Sequence, residues 1–326
     1  MRHELNRAVA AAFLLWVTAC GGSNSTPPTT VTTPRPGPAP NAMVAGTTLR
    51  IATGETGEGV EGAVVTVAGR SYTSSGGLVT LAETAPLRSE VTIVAPDMLE
   101  RRTLLRDVAT TLFTLWPRTS PTGIDEEFTQ ALVYSRTEGS GPLRRLPRGA
   151  ARVVVVPSED LRGNPEVMTA HQEAVDRVTA ATGGQVAYVL GSAIPSTGPY
   201  VETRIGGSDD ELCRETNVLA FAQTFTRNGE IVRGVVAYCD PKAARNGVVG
   251  HELGHTFGLQ HSPEKGELMY RFFNGHGAVE FSARESLEMR LMLQRLAGNV
   301  FPDDDRAVAA SARAGSDVTI CRDGTP

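Results

Sequence analysis

The sequence contains few cysteines, few aromatic residues and no long basic run. Four cysteines and two tryptophans occur among 326 residues, and aromatic residues make up 6% of the chain with no aromatic stripe, which disfavours a glycan-binding surface. The net charge is −5, so nothing indicates a nucleic-acid partner. Apolar residues at 40% and charged residues at 21% are typical of globular proteins with a packed core. The length favours about two domains, and no internal repeat is visible.

Residues 1–19 have the pattern of a secretory signal. Two arginines precede an apolar run, Ala8–Ala19, which is too short to span a bilayer. The run ends in Val17-Thr18-Ala19-Cys20, which resembles the bacterial lipobox. This resemblance implies lipidation of Cys20, export and attachment to the membrane of the bacterial cell envelope, and Gly21 after it resembles sorting to the outer membrane. The alternative is an ordinary secretory signal with a chance cysteine, and under either interpretation the mature chain leaves the cytoplasm.

Changes in composition divide the remaining chain into five segments. They are a flexible tether (20–45), an all-β sandwich accessory domain (46–118), a connector (119–149), a larger α+β domain (150–300) and a polar C-terminal tail (301–326). The tether is rich in Gly, Ser, Thr and Pro and cannot bury a core. The tail is expected to be loosely held.

The accessory domain is predicted from short β-rich runs separated by Gly, Ser and Pro clusters. These runs are Thr48–Ala52, Ala63–Ala68, Leu78–Leu81, Val91–Ala95 and Thr110–Trp116. The segments Gly59–Val65, Tyr72-Thr73 and Gly76–Leu78 resemble the carboxypeptidase-regulatory or transthyretin-like sandwich family. That resemblance implies a structural or binding role without catalytic residues.

The segment after residue 150 is predicted to be an α+β domain with a mixed twisted sheet, a helix that begins at Asp240-Pro241 and runs to about Phe257, and a C-terminal helix. The predicted elements are a strand at Arg152–Val156, a helix at Pro165–Ala181, a strand at Gln185–Leu190, and strands at Asn217–Thr226 and Ile231–Cys239 joined by the turn 227–230. Ser282 and Glu285 form a capping box before the last helix. His171 is expected to face solvent on its helix, and His276 is either a loop histidine or part of the pocket wall.

Export permits disulfides. With Cys20 lipidated, the favoured bridge is Cys213–Cys239, which closes a loop of about 26 residues and restricts the unfolded chain by roughly 3–4 kcal/mol. The pairing of Cys321 stays open. Two acidic triplets, Asp209–Glu211 and Asp303–Asp305, are either calcium ligands or solvated loop carboxylates, and neither shows a complete oxygen-ligand loop.

Residues 251–261, HELGHTFGLQH, carry the chemistry of the chain. His251 and His255 are four residues apart, so a helix projects both imidazoles from one face onto one metal ion. Neutral imidazole suits Zn²⁺, and a third ligand from His261 would leave one coordination position open to solvent. Glu252, next to the first ligand, reaches that position without ligating the metal.

Gly258 has a separate role in this motif. The helix must end sharply after His255 if His261 is to return toward the metal, and glycine tolerates positive φ at such a turn.

The stretch resembles the metzincin zinc peptidases at all five defining positions of their signature. The resemblance implies that residues 150–300 are a zinc metallopeptidase domain and that the helix carrying His251 and His255 is its active-site helix. Met269, in Leu268-Met269-Tyr270, looks like the methionine turn beneath the metal ligands, with plain core packing as the alternative. The resemblance implies hydrolysis of a peptide or protein substrate by zinc-activated water, with Glu252 as general base. The substrate would lie extended along an edge strand, for which Asn217–Thr226 is the candidate. Arg271 stands where some metzincins carry a tyrosine, so no tyrosine ligand is assigned.

Two functions from different classes follow from these patterns. One is a zinc-dependent endopeptidase anchored at the cell envelope, and the other is a non-hydrolytic zinc-containing adhesion or binding lipoprotein. The presence of Glu252 favours the enzyme, because a binding protein has no use for a base beside its metal.

Overall fold

A computed structural model describes residues 41–136, 139–207, 210–215, 217–273, 278–306 and 315–323. The predicted signal segment, Cys20 and most of the predicted tether lie outside the described residues. Within the described ranges, no helix is both long enough and apolar enough to cross a bilayer.

Short alternating runs in the first part of the chain form small antiparallel and mixed sheets. The strands are β1 Ala42–Met43, β2 Thr48–Thr53, β3 Val64–Val67, β4 Arg70–Thr73, β5 Leu78–Thr80, β6 Ala85–Pro86, β7 Glu90–Val94, β8 Arg101–Leu104 and β9 Leu112–Leu115. One sheet has the order β5-β2-β9, a second has the order β4-β3-β7-β8, and β1 pairs with β6.

The inner faces of these sheets share one hydrophobic core. Ile51 of β2 and Phe113 of β9 are buried in the same cluster as Val65 of β3 and Ile93 of β7. Alternate residues of β3 and β7 are buried, as a period of two requires when one face of a sheet is covered. The predicted relation to a named sandwich family stays a prediction.

The second part of the chain combines helices with a seven-stranded sheet. Its elements are α1 Glu126–Thr129, a π-helix Gln130–Tyr134, β10 Ser135–Arg136, β11 Gly139–Ser140, β12 Arg152–Pro157, α2 Glu159–Arg162, α3 Pro165–Ala181, β13 Ala187–Leu190, β14 Tyr200–Ile205, a 3-10 helix Glu211–Arg214, β15 Val218–Arg227, β16 Glu230–Tyr238, a 3-10 helix Pro241–Ala243, α4 Asn246–Phe257, β17 Phe272–Phe273, α5 Ala283–Leu293 and β18 Gly315–Asp323. The strand order is β13-β12-β14-β16-β15-β18-β17. Parallel pairs join β13, β12, β14 and β16, whereas β15 is antiparallel to both neighbours. This mixed architecture is compatible with the predicted α+β class.

Helix α3 forms where its spacing predicts it. The Asn164 side chain accepts hydrogen bonds from the first turn, and Pro165 occupies the first helical position, where no backbone donor is needed. Its apolar face is buried, but the prediction for His171 is wrong. That imidazole is fully buried, with Nδ1 donating to the Val167 carbonyl at 2.8 Å and Nε2 accepting from the Thr203 hydroxyl at 3.1 Å.

The β15–β16 hairpin is also confirmed. Asn228 and Gly229 both adopt positive φ, 56° and 76°, which is the conformation of a two-residue turn that follows the natural twist of the strands. Helix α4 begins later than predicted, because the Asp240 carboxylate caps the separate 3-10 helix by accepting from Lys242 N at 2.8 Å.

The prediction of a loosely held tail after residue 300 is wrong for the described part. Asp303 and Asp305 are buried, and residues 315–323 form β18, which pairs with β15 from Val218 to Thr226. The three consecutive β-branched residues at 318–320 are the sequence signal that could have predicted strand β18. Because of this pairing, β15 is not an edge strand in this conformation.

Candidate metal centre

Helix α4 places two imidazoles side by side. His251 and His255 lie one turn apart, and both are almost fully buried, with 1% and 2% of their surface exposed. Their Nε2 atoms are 3.0 Å apart and their ring centroids 4.6 Å apart. The helical spacing of four residues therefore gathers the two rings as predicted.

Backbone carbonyls fix the orientation of both rings. His251 Nδ1 donates to the Leu268 carbonyl at 2.7 Å, and His255 Nδ1 donates to the Leu259 carbonyl at 2.9 Å. Because a carbonyl oxygen only accepts, each Nδ1 carries the proton and each Nε2 presents a lone pair. Two lone pairs facing each other at this distance repel, and a cation between them relieves that repulsion. Such outer hydrogen bonds are the usual support of metal-binding histidines.

The turn after α4 delivers the third imidazole. Gly258 has φ +123°, and its backbone N–H donates to the His255 carbonyl at 3.0 Å, which ends the helix. Gln260 N then donates to the Leu132 carbonyl at 2.7 Å and fixes the returning chain. The ring centroid of His261 lies 5.4 Å from that of His251 and 4.8 Å from that of His255.

The three histidines fit a zinc ion. One ring nitrogen from each lies within 4.8 Å of the others, and His261 Nε2 is buried without a hydrogen-bond partner among the described residues. Burial lowers the pKa of His251 to about 4. Burial, followed by the neighbouring imidazoles, holds the pKa of His255 and His261 well below the usual value. The rings are therefore neutral, the form that ligates a metal.

Glu252 lies beside the cluster on the same helix. Its side chain is fully buried, and burial raises its pKa well above the ordinary value, while the neighbouring Cys321 thiol acts in the opposite direction. Cys321 Sγ, a Glu252 carboxylate oxygen and a His251 ring nitrogen lie within 4.8 Å of one another. The sequence did not predict this position of Cys321, because a lone cysteine about 70 residues from the motif carries no spacing signal.

Met269 packs against helix α4. The residue is fully buried, and a Cβ built on Gly254 of α4 would lie 2.4 Å from Met269 Sδ. Met269 N donates to Glu285 Oε1 at 2.8 Å, and Glu285 also completes the capping box of α5 with Ser282. The predicted cap therefore has a second role, which is to hold the backbone at Met269.

A cleft of about 830 Å³ opens beside His261. Tyr270 and Arg271 line one side of it, and Ile320 and Arg322 of β18 line another. Of the three histidines, His261 lines this cleft, whereas His251, His255 and Glu252 are buried behind its wall. Strand β18 lies on this side of the centre.

The remaining predicted residues lie away from the histidine cluster or outside the described residues. Cys213 and Cys239 form the favoured disulfide, with their Cα atoms 5.0 Å apart. Cys20 and His276 fall outside the described part of the chain.

Comparison with known protein families gives one match. Residues 216–286 match the family Peptidase_M10, described as matrixin, and this range contains β15, β16, α4 and the three histidines. The match supports a metzincin-type zinc metallopeptidase domain in this part of the chain. No curated protein matches the sequence.

Proposed function

We propose that this protein is a zinc-dependent endopeptidase in which His251, His255 and His261 hold the metal and Glu252 is the general base. The observation that carries the proposal is the convergence of three neutral imidazoles. Two of them have their Nδ1 atoms satisfied by carbonyls and turn their Nε2 atoms toward a common point. The matrixin match over the same residues supports the reaction class.

The residues of the chain divide the work of hydrolysis. A zinc ion held by His251, His255 and His261 would polarise the scissile carbonyl and make water more acidic. Glu252 removes the proton from the attacking water and delivers it to the leaving amine. Burial in an apolar surrounding raises the proton affinity of its carboxylate, which suits a group that must hold a proton between these two transfers.

An extended peptide is the substrate class that the sheet favours. The side of β15 that faces β18 offers backbone donors and acceptors next to the centre, and an added strand can pair with them. In this proposal the substrate replaces β18, and the cleft beside His261 receives a substrate side chain.

The cellular setting is proposed from the sequence. Lipidation of Cys20 would anchor the chain at the bacterial envelope, with the Gly- and Pro-rich tether separating the anchor from the folded part. In this setting the two-sheet β unit acts as an accessory domain.

A second candidate function is the non-hydrolytic zinc-containing lipoprotein. Burial of His251, His255 and Glu252 favours it, because zinc sites closed to solvent are usually structural. The two candidates differ in one respect, which is whether the chain hydrolyses peptides once it holds zinc.

The substitution Glu252→Gln separates them. It keeps the size of the side chain and removes the base, so we expect full zinc content and a loss of hydrolysis of roughly 10²–10⁴-fold. Zinc content and cleavage of a mixed peptide library are measured with and without chelator. Because the Cys321 thiol lies against Glu252, both measurements are repeated in a Cys321→Ala background.

The exposed Glu159, on α2, provides the matched control. Glu159→Gln should leave zinc content and cleavage unchanged. Equal cleavage by the Glu252→Gln chain would refute the base assignment, and zinc binding without cleavage in either background would favour the non-hydrolytic lipoprotein.

A further inference from the structure

The cleft beside His261 carries positive charge, although the whole chain is anionic with a net charge of −5. Among the described residues, two arginines line the cleft, Arg271 and Arg322, and no aspartate or glutamate does. A cleft lined by charge of one sign attracts a ligand group of the opposite sign. The cleft therefore favours an anionic group.

The two arginines differ in the partners that they already have. Arg322 belongs to β18 and pairs with Glu215 at 2.7 Å. Arg271 forms no ion pair with a described residue, and its Cζ lies 5.8 Å from the centre of the Phe272 ring. The guanidinium donors of Arg271 are therefore available to a ligand.

The backbone holds the segment that carries Arg271 close to the third imidazole. Ser262, the residue after His261, donates its N–H to the Met269 carbonyl at 2.8 Å. This hydrogen bond does not involve β18, so it holds Arg271 beside the cluster whether β18 or a substrate pairs with β15. The charge of Arg271 is one cause of the lowered pKa of His261, after burial and the His251 ring.

The position of the cleft defines which part of a substrate reaches it. His261 lines the cleft and is one of the three proposed metal ligands. A metal ion at this cluster would polarise the carbonyl of the scissile bond. A side chain that enters the cleft therefore belongs to a substrate residue at or next to that bond.

A carboxylate matches Arg271 better than the other groups that a peptide offers. A guanidinium presents a planar fork of donors, which fits the two oxygens of a carboxylate. Peptides carry carboxylates on aspartate and glutamate side chains and at the C-terminus. An endopeptidase cuts within a chain, so the side-chain carboxylate is the source that agrees with the proposed function.

We propose that Arg271 selects an acidic side chain at or next to the scissile bond, so that acidic peptide segments are the preferred substrates. The selection rests on the proposed peptidase function. Because Arg271 is exposed, its pair with the substrate stays partly solvated, and we expect a preference of roughly three- to tenfold.

Paired peptides test the selection. They share one sequence with an amidated C-terminus and carry either Glu or Gln at a single position, which is moved along the peptide. Where this position lies at or next to the cut, the wild-type chain should cut the Glu peptide roughly three- to tenfold faster, and high salt should reduce the difference. Arg271→Gln should cut both peptides at equal rates, and Arg271→Lys should keep part of the preference.

The matched control is Arg152→Gln, because Arg152 is exposed on β12, four strands from β18 in the sheet order. This variant should keep the wild-type rates and preference. Equal cutting of both peptides by the wild-type chain, or an unchanged preference in Arg271→Gln, would overturn the selection and leave the peptidase in place. A preference that appears only with free C-termini would assign Arg271 to the terminal carboxylate and overturn the side-chain assignment.

Peptide binding separates this proposal from a failure of the peptidase. Zinc-loaded full chains with Glu252→Gln are titrated against dye-labelled Glu and Gln peptides, and fluorescence anisotropy gives the Kd. The Glu peptide should bind roughly three- to tenfold more tightly, and adding Arg271→Gln should remove the difference. If no chain cuts peptides and this difference is present, the peptidase is wrong and acidic recognition stands. If no chain cuts peptides and both peptides bind equally, both proposals are overturned.

Discussion

Burial sets the ionisation of the acidic side chains around the histidine cluster. Glu252, Glu285 and Glu288 are fully buried, and in each case burial is the main cause of a raised pKa. The pKa of Glu288 rises from 4.5 to about 7, and the hydrogen bond from the Thr129 hydroxyl only partly opposes the rise. The second Glu288 oxygen has no hydrogen-bond partner among the described residues. The charged form of Glu288 therefore destabilises the folded chain.

Glu288 should therefore make stability depend on pH. Between pH 4.5 and about 7, Glu288 holds a proton in the folded chain that it has released in the unfolded chain. The contribution of this proton to the free energy of unfolding is therefore complete below the window and is lost as the pH rises through it. Glu288→Gln removes the charge, and we expect the free energy of unfolding to rise at pH 8 by up to roughly 3 kcal/mol. Urea titrations at pH 5 and pH 8 measure the difference, which should shrink at the lower pH.

The exposed Glu159 again gives a control, since Glu159→Gln should leave both titrations unchanged. An equal effect of Glu288→Gln at pH 5 and pH 8 would contradict the raised pKa.

At the scale of one element, helix α4 and its terminal turn were predictable from the sequence. The i, i+4 spacing fixes the two imidazoles relative to each other, because the helix repeats every 3.6 residues. The glycine at the end of the helix permits the bend that returns the third imidazole. A Cβ at Gly258 would lie 2.4 Å from the Arg144 carbonyl oxygen, so only glycine fits both the φ value and the space.

Gly258→Ala should disrupt the metal centre. Positive φ costs a non-glycine residue about 1–2 kcal/mol, and the overlap with backbone adds to this, so we expect a loss of stability of more than about 2 kcal/mol. Zinc affinity should fall as His261 moves away from the other rings. Chemical denaturation and competition with a chromophoric chelator measure the two effects.

Gly266→Ala is the matched substitution, because Gly266 has φ +98° and open space around its Cα. It should cost only about 1 kcal/mol and leave zinc affinity intact. If Gly258→Ala had no larger effect than Gly266→Ala, the assigned role of the turn would be wrong.

At the scale of the whole molecule, a buried group of charged side chains connects the β unit to the sheet domain. Arg295 pairs with Asp303 at 2.7 Å, donates to the Thr114 carbonyl of β9 at 3.0 Å and lies over the Trp116 ring at 4.8 Å. Arg101 of β8 pairs with Asp305 at 3.3 Å. The acidic triplet 303–305 therefore supplies ion pairs inside the molecule, and neither alternative from the sequence, calcium ligands or solvated carboxylates, describes Asp303 and Asp305.

Arg295→Met should destabilise the molecule as a whole. The substitution leaves the Asp303 charge buried without its partner, and removal of one member of a buried pair costs about 3–5 kcal/mol. The control Arg306→Met removes a partly exposed pair with Asp304 and should cost less than about 1 kcal/mol. Calorimetry measures both, and similar melting temperatures for the two variants would show that the buried group does not join the two parts.

The sequence by itself determined the local features of this protein. Each of these features depends on residues that are close in the sequence, within a few helical turns or one tight turn of each other. They are helix α3, the β15–β16 hairpin, the capping box of α5 and the cluster of three histidines. Backbone geometry fixes such relations, so spacing and turn residues are sufficient to predict them.

Only the tertiary structure decided which distant segments meet. It places β18 against β15, Cys321 beside Glu252, and Asp305 against Arg101, and it buries His171. No period or motif encodes these contacts, because each depends on how separately formed elements share one core. The difference matters for function, since the sequence indicates β15 as an edge strand open to a substrate and the fold pairs that strand with β18 of the same chain.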